Sequence, residues 1–284
     1  MTTVYEAPLV EALQPKPYDK YTHVTFTESE APDLAIEAQR IHAEGYYAMG
    51  FVNKDAIQPD GTLTTDIDKA RGSNVTYYLD FNPEEGTNDR AAVRKFNLME
   101  GQTYRDTPAY AICKDYLSPL GESLLDVVED QEGRIKEIGA LARSANAKPD
   151  AVFELFRKIV QDANNTDEVW FMTIVADTRA VLEHRFGKKN FISLGDNVPI
   201  GSDDELVADR IELAPTLVRP SKFIDNILVS MRDPELRVSQ RRALERSLVF
   251  MTDGLRPEEM SDDVARVRQE LLLSQFVAKN QVES

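Results

Sequence analysis

The sequence predicts an α/β (α+β) protein: a mixed central sheet flanked by helices, followed by a helical C-terminal extension. Three observations predict it. Strand and helix signals alternate from Arg134 to Leu194, and strand–helix–strand order calls for parallel or mixed pairing. Upstream, two segments with strand character, Asn74–Phe81 and Ala91–Leu98, flank a polar loop and read as a hairpin. After Pro220 only helical patterns remain, and the charge balance changes there. Residues 218–284 hold 11 basic and 11 acidic groups, so the whole net charge of −16 falls on residues 1–217.

The elements follow in order. Residues 1–32 carry Pro8, Pro15 and Pro17 and read as an irregular arm, with one short strand at Tyr21–Thr27. Leu34, Ile36, Ala38, Ile41 and His42 mark a helix after Pro32 that ends near Tyr47, where Gly45 and Gly50 interrupt the pattern. In Asn74–Phe81, Val75, Tyr77 and Leu79 alternate with Thr76, Tyr78 and Asp80, the period of a strand. Tyr116–Glu129 puts Leu117, Leu120, Leu124 and Val128 on one helical stripe. Arg134–Arg143 is a strand. Asp150 is a candidate N-cap for a helix over Ala151–Ala163. Glu168–Ala176 is a strongly apolar strand, Thr178–Phe186 a helix closed by Gly187, and Phe191–Leu194 a further strand. Helices are expected at Ser221–Met231, Pro234–Met251 and Pro257–Lys279. The expected organisation is an arm (1–32), a central domain (33–217) and a helical extension (218–284).

Composition excludes several functions. The chain has 284 residues, 33 of them basic and 49 acidic. That surplus of negative charge opposes general nucleic-acid binding, which needs clustered Lys and Arg to displace counterions. No stretch approaches the length and apolarity of a membrane span. One cysteine, Cys113, forbids an internal disulfide framework, and a single thiol without a secretory n-region leads us to expect a cytoplasmic protein. His23, His42 and His184 lack metal-ligand spacing, so no metal is expected. No phosphate-binding Gly-rich motif and no nucleophile elbow is present.

Four features can carry chemistry. Asp66 and Asp68 point the same way in an extended segment and can hold a cationic amine or orient an arginine, or form a solvated loop. Arg94 sits inside the apolar run Ala91-Ala92-Val93 and needs a carboxylate partner if buried; a pair with Asp66 or Asp68 serves either structure or function. Glu137 lies on the strand face opposite Ile138 and Ala140, together with Gly139 and Leu141 by alternation. It is a candidate general base or an ordinary strand-face glutamate. The loop Arg143-Ser144-Ala145-Asn146-Ala147-Lys148 precedes a helix; its N–H groups and two cations suit phosphate, or make an everyday connection.

This order of segments resembles the GNAT N-acyltransferase superfamily, and within it the autoinducer synthase and N-acyl amino acid synthase branch. The matching residues are Tyr47, Gly50-Phe51, Asp66-Ile67-Asp68, Ala92-Val93-Arg94, Glu137, Arg185-Phe186-Gly187 and Phe191–Gly195. They span residues ~33–200. The superfamily's pyrophosphate loop usually reads Arg/Gln-x-x-Gly-x-Gly/Ala, where this chain has Arg143–Lys148; the branch tends to carry an Arg where this chain has Ala140. The resemblance implies an N-acyltransferase with Glu137 and Arg94 as catalytic residues. It implies that Asp66, Asp68 and Trp170 bind substrate, Trp170 in an acyl channel with Phe171 and Met172. It places the donor's phosphates at Arg143, Ser144, Asn146 and Lys148. The expected partners are a small-molecule amine and an acyl thioester. Acyl-CoA is favoured over acyl carrier protein, because a carrier protein is acidic and this chain repels it. The alternative is a catalytically inactive GNAT-like module that binds a ligand or assembles, the C-terminal helices being the candidate homo-oligomer interface.

Overall fold

The computed structural model describes residues 21–48, 50, 52–63, 74–82, 84, 89–131, 135–200 and 211–282. Asp66, Asp68 and Phe51 lie outside them.

Residues 20–181 and 191–221 form one compact unit, built on an eight-stranded sheet. Its strands are β1 (Thr22–Thr27), β2 (Val75–Phe81), β3 (Arg90–Phe96), β4 (Ile135–Arg143), β5 (Val169–Val175), β6 (Ile192–Ser193), β7 (Val198–Ile200) and β8 (Ile211–Val218). The order is β1-β2-β3-β4-β5-β8-β6, with β7 also on β8. All neighbours are antiparallel except β4 and β5. The mixed sheet expected from the sequence is thus present. β8 is not anticipated by the sequence patterns, because Pro215 sits in its middle and proline usually excludes an inner strand. Here β8 nonetheless pairs with β5 on one side and with β6 and β7 on the other.

Helices cover both faces. On one lie α1 (Pro32–Ala48), α2 (Pro108–Cys113) and α3 (Pro119–Asp130). Ala35, Ala38 and Ile41 of α1 recur with helical period and pack on Phe26, Val75, Tyr77, Leu79, Ala92 and Phe96. Ala109 and Cys113 of α2, with Leu125 and Val128 of α3, pack on Ile135, Phe171 and Leu217. The other face takes α4 (Pro149–Ala163), against β2, β3 and β4, through residues including Leu155, Phe156, Ile159 and Val160. Its N-cap is Lys148 rather than the expected Asp150, because Pro149 takes the first helical position. α3 likewise starts at Pro119, later than predicted, with the Ser118 side chain capping the Gly121 N–H at 3.0 Å. α2 has the same signature, Thr107 then Pro108, but is too short to show a periodic stripe and is missed from sequence.

A charged cluster lies beneath α4. Asp80 is fully buried, 2.6 Å from His23 and 3.6 Å from Lys158. Glu154 and Arg157 pair at 2.7 Å, both buried. Burial holds the Glu154 carboxyl above its ordinary value even with Arg157 opposing it. Burial alone depresses the His23 pKa, but the Asp162 and Asp80 carboxylates outweigh it, so His23 titrates above its ordinary value.

The second compact unit contains residues 182–190 and 222–284. α5 (Ala176–Phe186) ends at Gly187, whose φ of 89° is the left-handed C′ geometry expected there. α6 (Phe223–Met231), α7 (Val238–Met251) and α8 (Asp262–Val282) follow. Phe186 and Phe223 meet edge to face at 5.6 Å, and the Asn190 side chain donates to the carbonyls of Phe186 and Phe223. α7 begins four residues later than Pro234 suggests, and α8 five later than Pro257; short turns fill the difference.

Two predictions follow from this packing. A Cβ on Gly121 would stand 1.8 Å from the Leu194 carbonyl oxygen. Gly121→Ala is expected to lower the unfolding free energy by at least about 1–3 kcal/mol, the usual cost of overpacking, read from urea denaturation. For His23, a raised folded pKa means that its ion pairs stabilise fully below the unfolded value near ~6.5 and fade as pH rises through the folded value. Stability measured from pH 6 to pH 9 should therefore fall more in the parent chain than in His23→Gln.

Candidate active site at the split in the sheet

β4 and β5 separate soon after they meet. β4 runs to Arg143 and β5 to Val175, yet they pair only at Ile135, Lys136 and Glu137, opposite Val169, Trp170 and Phe171. The cause lies in the register of β4 with β3. Ala92 faces Ala142 and Arg94 faces Gly139, so Ala140 and Leu141 together stand against Val93. One extra residue in a strand bends it and increases its twist. The bulge carries the far half of β4 along β3 and away from β5, while β5 continues along β8 as far as Val175. A wedge opens in the middle of the sheet, and Glu137 stands at its apex. The bulge also corrects the simple alternation read from sequence. Strict alternation would put Ala142 on the Ile138 face; with the bulge it is opposite Ala92 and lies on the face that carries Glu137.

Glu137 is 3% exposed. Its Oε2 accepts the Ala109 N–H at 3.0 Å. Ala109 lies in the first turn of α2, where N–H groups lack helical partners, and the Thr107 side chain takes the next one, that of Tyr110. The Glu137 carboxylate is therefore oriented by backbone, on the partly positive end of a helix. Cys113, at the other end of α2, is buried, and burial, with the nearby Glu137 charge adding, pushes its thiol up to about 12.

Arg94 shares this face. It is opposite Gly139 on β4 and Tyr77 on β2, and is 5% exposed. As a diagonal cross-strand neighbour of Glu137, its Cβ is roughly 7–8 Å away. Gln39 of α1 donates to the Tyr77 hydroxyl at 3.1 Å, and Gln39, His42, Leu63 and Arg94 line a cavity of about 10 Å³, room for one water. His42 and Gln39 were not singled out by the sequence as site residues; their signal is a polar side chain on the buried stripe of α1. Trp170 is elsewhere. It is opposite Lys136 on the α4 face, 1% exposed, and its indole N–H reaches Glu168 at 3.3 Å. Phe171 is the residue of β5 on the Glu137 side.

The loop before α4 has mixed engagement. Ser144 is buried; its N–H donates to the Arg90 carbonyl and its hydroxyl accepts the Arg90 N–H. The Ala147 N–H donates to the Ser144 carbonyl, and the Arg143 guanidinium donates to the Ala147 carbonyl. The Lys148 N–H donates at 3.2 Å to Asp89, a 1% exposed carboxylate also held by the Tyr21 hydroxyl at 2.9 and 3.0 Å. Ala145 and Asn146, both exposed, donate to no described residue from their N–H groups. The structure thus places Glu137 with Arg94, puts Trp170 on the reverse face, and leaves the Asn146 turn as the open part of the loop.

No family model matches the chain, and no curated protein matches it. Solved structures do. The chain is similar to FeeM, an N-acyl amino acid synthase from uncultured soil microbes, at 16% identity and a TM-score of 0.48, over 74% of this chain and 97% of that one. It is similar to MesI, a CoA-dependent acyl-homoserine lactone synthase, at 10% identity and 0.43, over 80% and 94%. It is similar to an acyl-CoA N-acyltransferase from Pseudomonas aeruginosa at 12% identity and 0.36, over 69% and 99%. These are proteins of the class that the sequence motifs resemble. No described helix is long and apolar enough to cross a membrane.

The surroundings of Cys113 generate a test. A buried thiol with so high a pKa carries almost no thiolate at pH 8, and thiolate is the reactive form. Iodoacetamide should leave the folded chain unmodified at pH 8 and alkylate it fully in 6 M guanidinium, as read by intact mass.

Proposed function

We propose that this chain transfers an acyl group from an acyl thioester to the amine of a small molecule such as an amino acid, with acyl-CoA the favoured donor. One observation carries the reading: the sheet splits between β4 and β5, and a buried, backbone-oriented carboxylate, Glu137, stands where it splits. Past Glu137 the edge of β4 has no strand partner among the described residues on the β5 side, so alternate N–H groups there are free of ladder bonds. A thioester laid in the wedge meets such a donor, which polarises its carbonyl as an oxyanion forms. The amine nitrogen attacks the carbonyl carbon and a C–N bond forms. The C–S bond breaks, its electron pair leaving on sulfur. Glu137 takes the proton from the amine, directly or through one water, and it passes on to the leaving thiolate.

The remaining assignments belong to this proposal. Arg94, a cation on the Glu137 face, attracts the carboxylate of an amino acid acceptor. Asp66 and Asp68 hold the acceptor's amine. The donor's phosphates meet the open Ala145 and Asn146 N–H groups, with Arg143, Ser144 and Lys148 shaping or flanking that turn.

A non-catalytic ligand-binding reading has one observation in its favour. Asp89 already supplies a carboxylate at the start of α4, which lessens the attraction of that helix end for phosphate.

Glu137→Gln separates the two. Glutamine keeps an acceptor for the Ala109 N–H but cannot take a proton. With acyl-CoAs of increasing chain length and a panel of amino acids, thiol release should fall about 10²–10⁴-fold in the variant at an unchanged melting temperature. Equal turnover in both proteins overturns the role of Glu137. Failure of every acyl-CoA to stabilise the parent chain overturns acyl-CoA as donor; a ligand at ~100 times its Kd adds ~2.7 kcal/mol.

A further inference from the structure

The second compact unit has a groove of its own. It is an open depression of about 430 Å³ between α7 and α8, lined by Ser239, Arg242 and Arg246 on one side and by Leu271, Ser274 and Gln275 on the other. That volume is in the ~300–1,000 Å³ range of small-molecule sites.

The charges in the groove are unbalanced in an informative way. Arg242 and Arg246 are one helical turn apart and so share a face. Neither forms an ion pair with a described residue; the Arg246 Nε donates only to the Arg242 carbonyl, at 3.3 Å. Other arginines of the same unit divide: Arg237 and Arg241 of α7 likewise form no ion pair with a described residue, the Arg241 guanidinium donating to the Asp233 carbonyl at 3.2 Å, while three others pair. Arg232 meets Asp263 at 2.9 Å, Arg256 meets Glu259 at 3.2 Å, and Arg266 meets Glu270 at 2.9 Å. Residues 218–284 hold as many acidic as basic groups, and among the described residues these two exposed guanidinium groups have no carboxylate partner. Ser239 sits in the first turn of α7, whose partly positive end adds to the same potential. Glu245, on the groove wall as well, is also without an ion pair among the described residues. A bare anion gains nothing from Glu245, whereas a ligand that also carries hydroxyl groups can donate to it. The Gln275 amide serves such a ligand as donor or acceptor.

We propose that this groove binds a phosphorylated, polyhydroxylated small molecule, its phosphate on Arg242 and Arg246 and a hydroxyl on Glu245. Arginine's planar fork suits phosphate oxygens, and such charge-assisted bonds are the stronger kind. The site belongs to a different compact unit from Glu137 and does not depend on the acyltransferase reading.

Calorimetric titration of the full chain with ribose 5-phosphate, inorganic phosphate and ribose tests it. Ribose 5-phosphate should bind at least tenfold more tightly than inorganic phosphate, and ribose should not bind. Arg242→Gln with Arg246→Gln should remove binding of both phosphates. Arg242→Lys, which keeps the charge and loses the fork, should weaken binding without abolishing it. Glu245→Gln should bring ribose 5-phosphate down towards inorganic phosphate. Absence of binding by either phosphate, or binding that survives the double variant, overturns the proposal. Both arginines are exposed and unpaired, so the variants are expected to fold, which an unchanged melting temperature verifies.

Discussion

The bulge at Ala140 and Leu141 is the constraint on which the rest of the central unit depends. A sheet of this length would otherwise continue its parallel pairing from β4 to β5 without interruption, and Glu137 would be one more strand-face side chain under a helix. With the extra residue, β4 follows β3 and β5 follows β8, and the pair remains joined only up to Glu137. Backbone donors and a buried carboxylate are then brought to one place by hydrogen-bond register alone. No unusual side chain is required: the proposed site consists of a Glu, an Arg and main-chain groups.

Helix ends set the chemistry on both sides of that wedge. α2 is six residues long and contributes little stability of its own, but its first turn points an N–H at Glu137. On the reverse face α4 begins over Asp89, which the Tyr21 hydroxyl holds in place. The same physical feature, the unsatisfied donors of a first turn, therefore fixes a carboxylate at two points of the fold. In one case the carboxylate borders the open wedge. In the other it closes a helix start that phosphate also favours.

The sequence made some of this readable and hid the rest. β2, β3 and β5 follow from period-2 alternation and apolar density, and the stripe of α4 from Leu155, Phe156 and Ile159. Glu137 and Arg94 stand out as charges in apolar strands, and both prove buried on one face. β8 stayed hidden because Pro215 breaks the strand pattern, although Pro215 is tolerated opposite Thr173. α2 stayed hidden because six residues are too few for a stripe. Trp170 entered through the family resemblance, and its pairing with Lys136 puts it on the α4 face.

The sequence by itself determined the fold class, the presence of Arg94 and Glu137 within apolar strands and the change of character after Pro220, because composition and local period are properties of neighbouring residues. Tertiary structure alone decided which residues meet. A one-residue slip between β3 and β4 reverses the faces of everything beyond it, and no local pattern records that slip. It is the pairing of strands far apart in the chain that turned Glu137 from a strand residue into the apex of a split sheet.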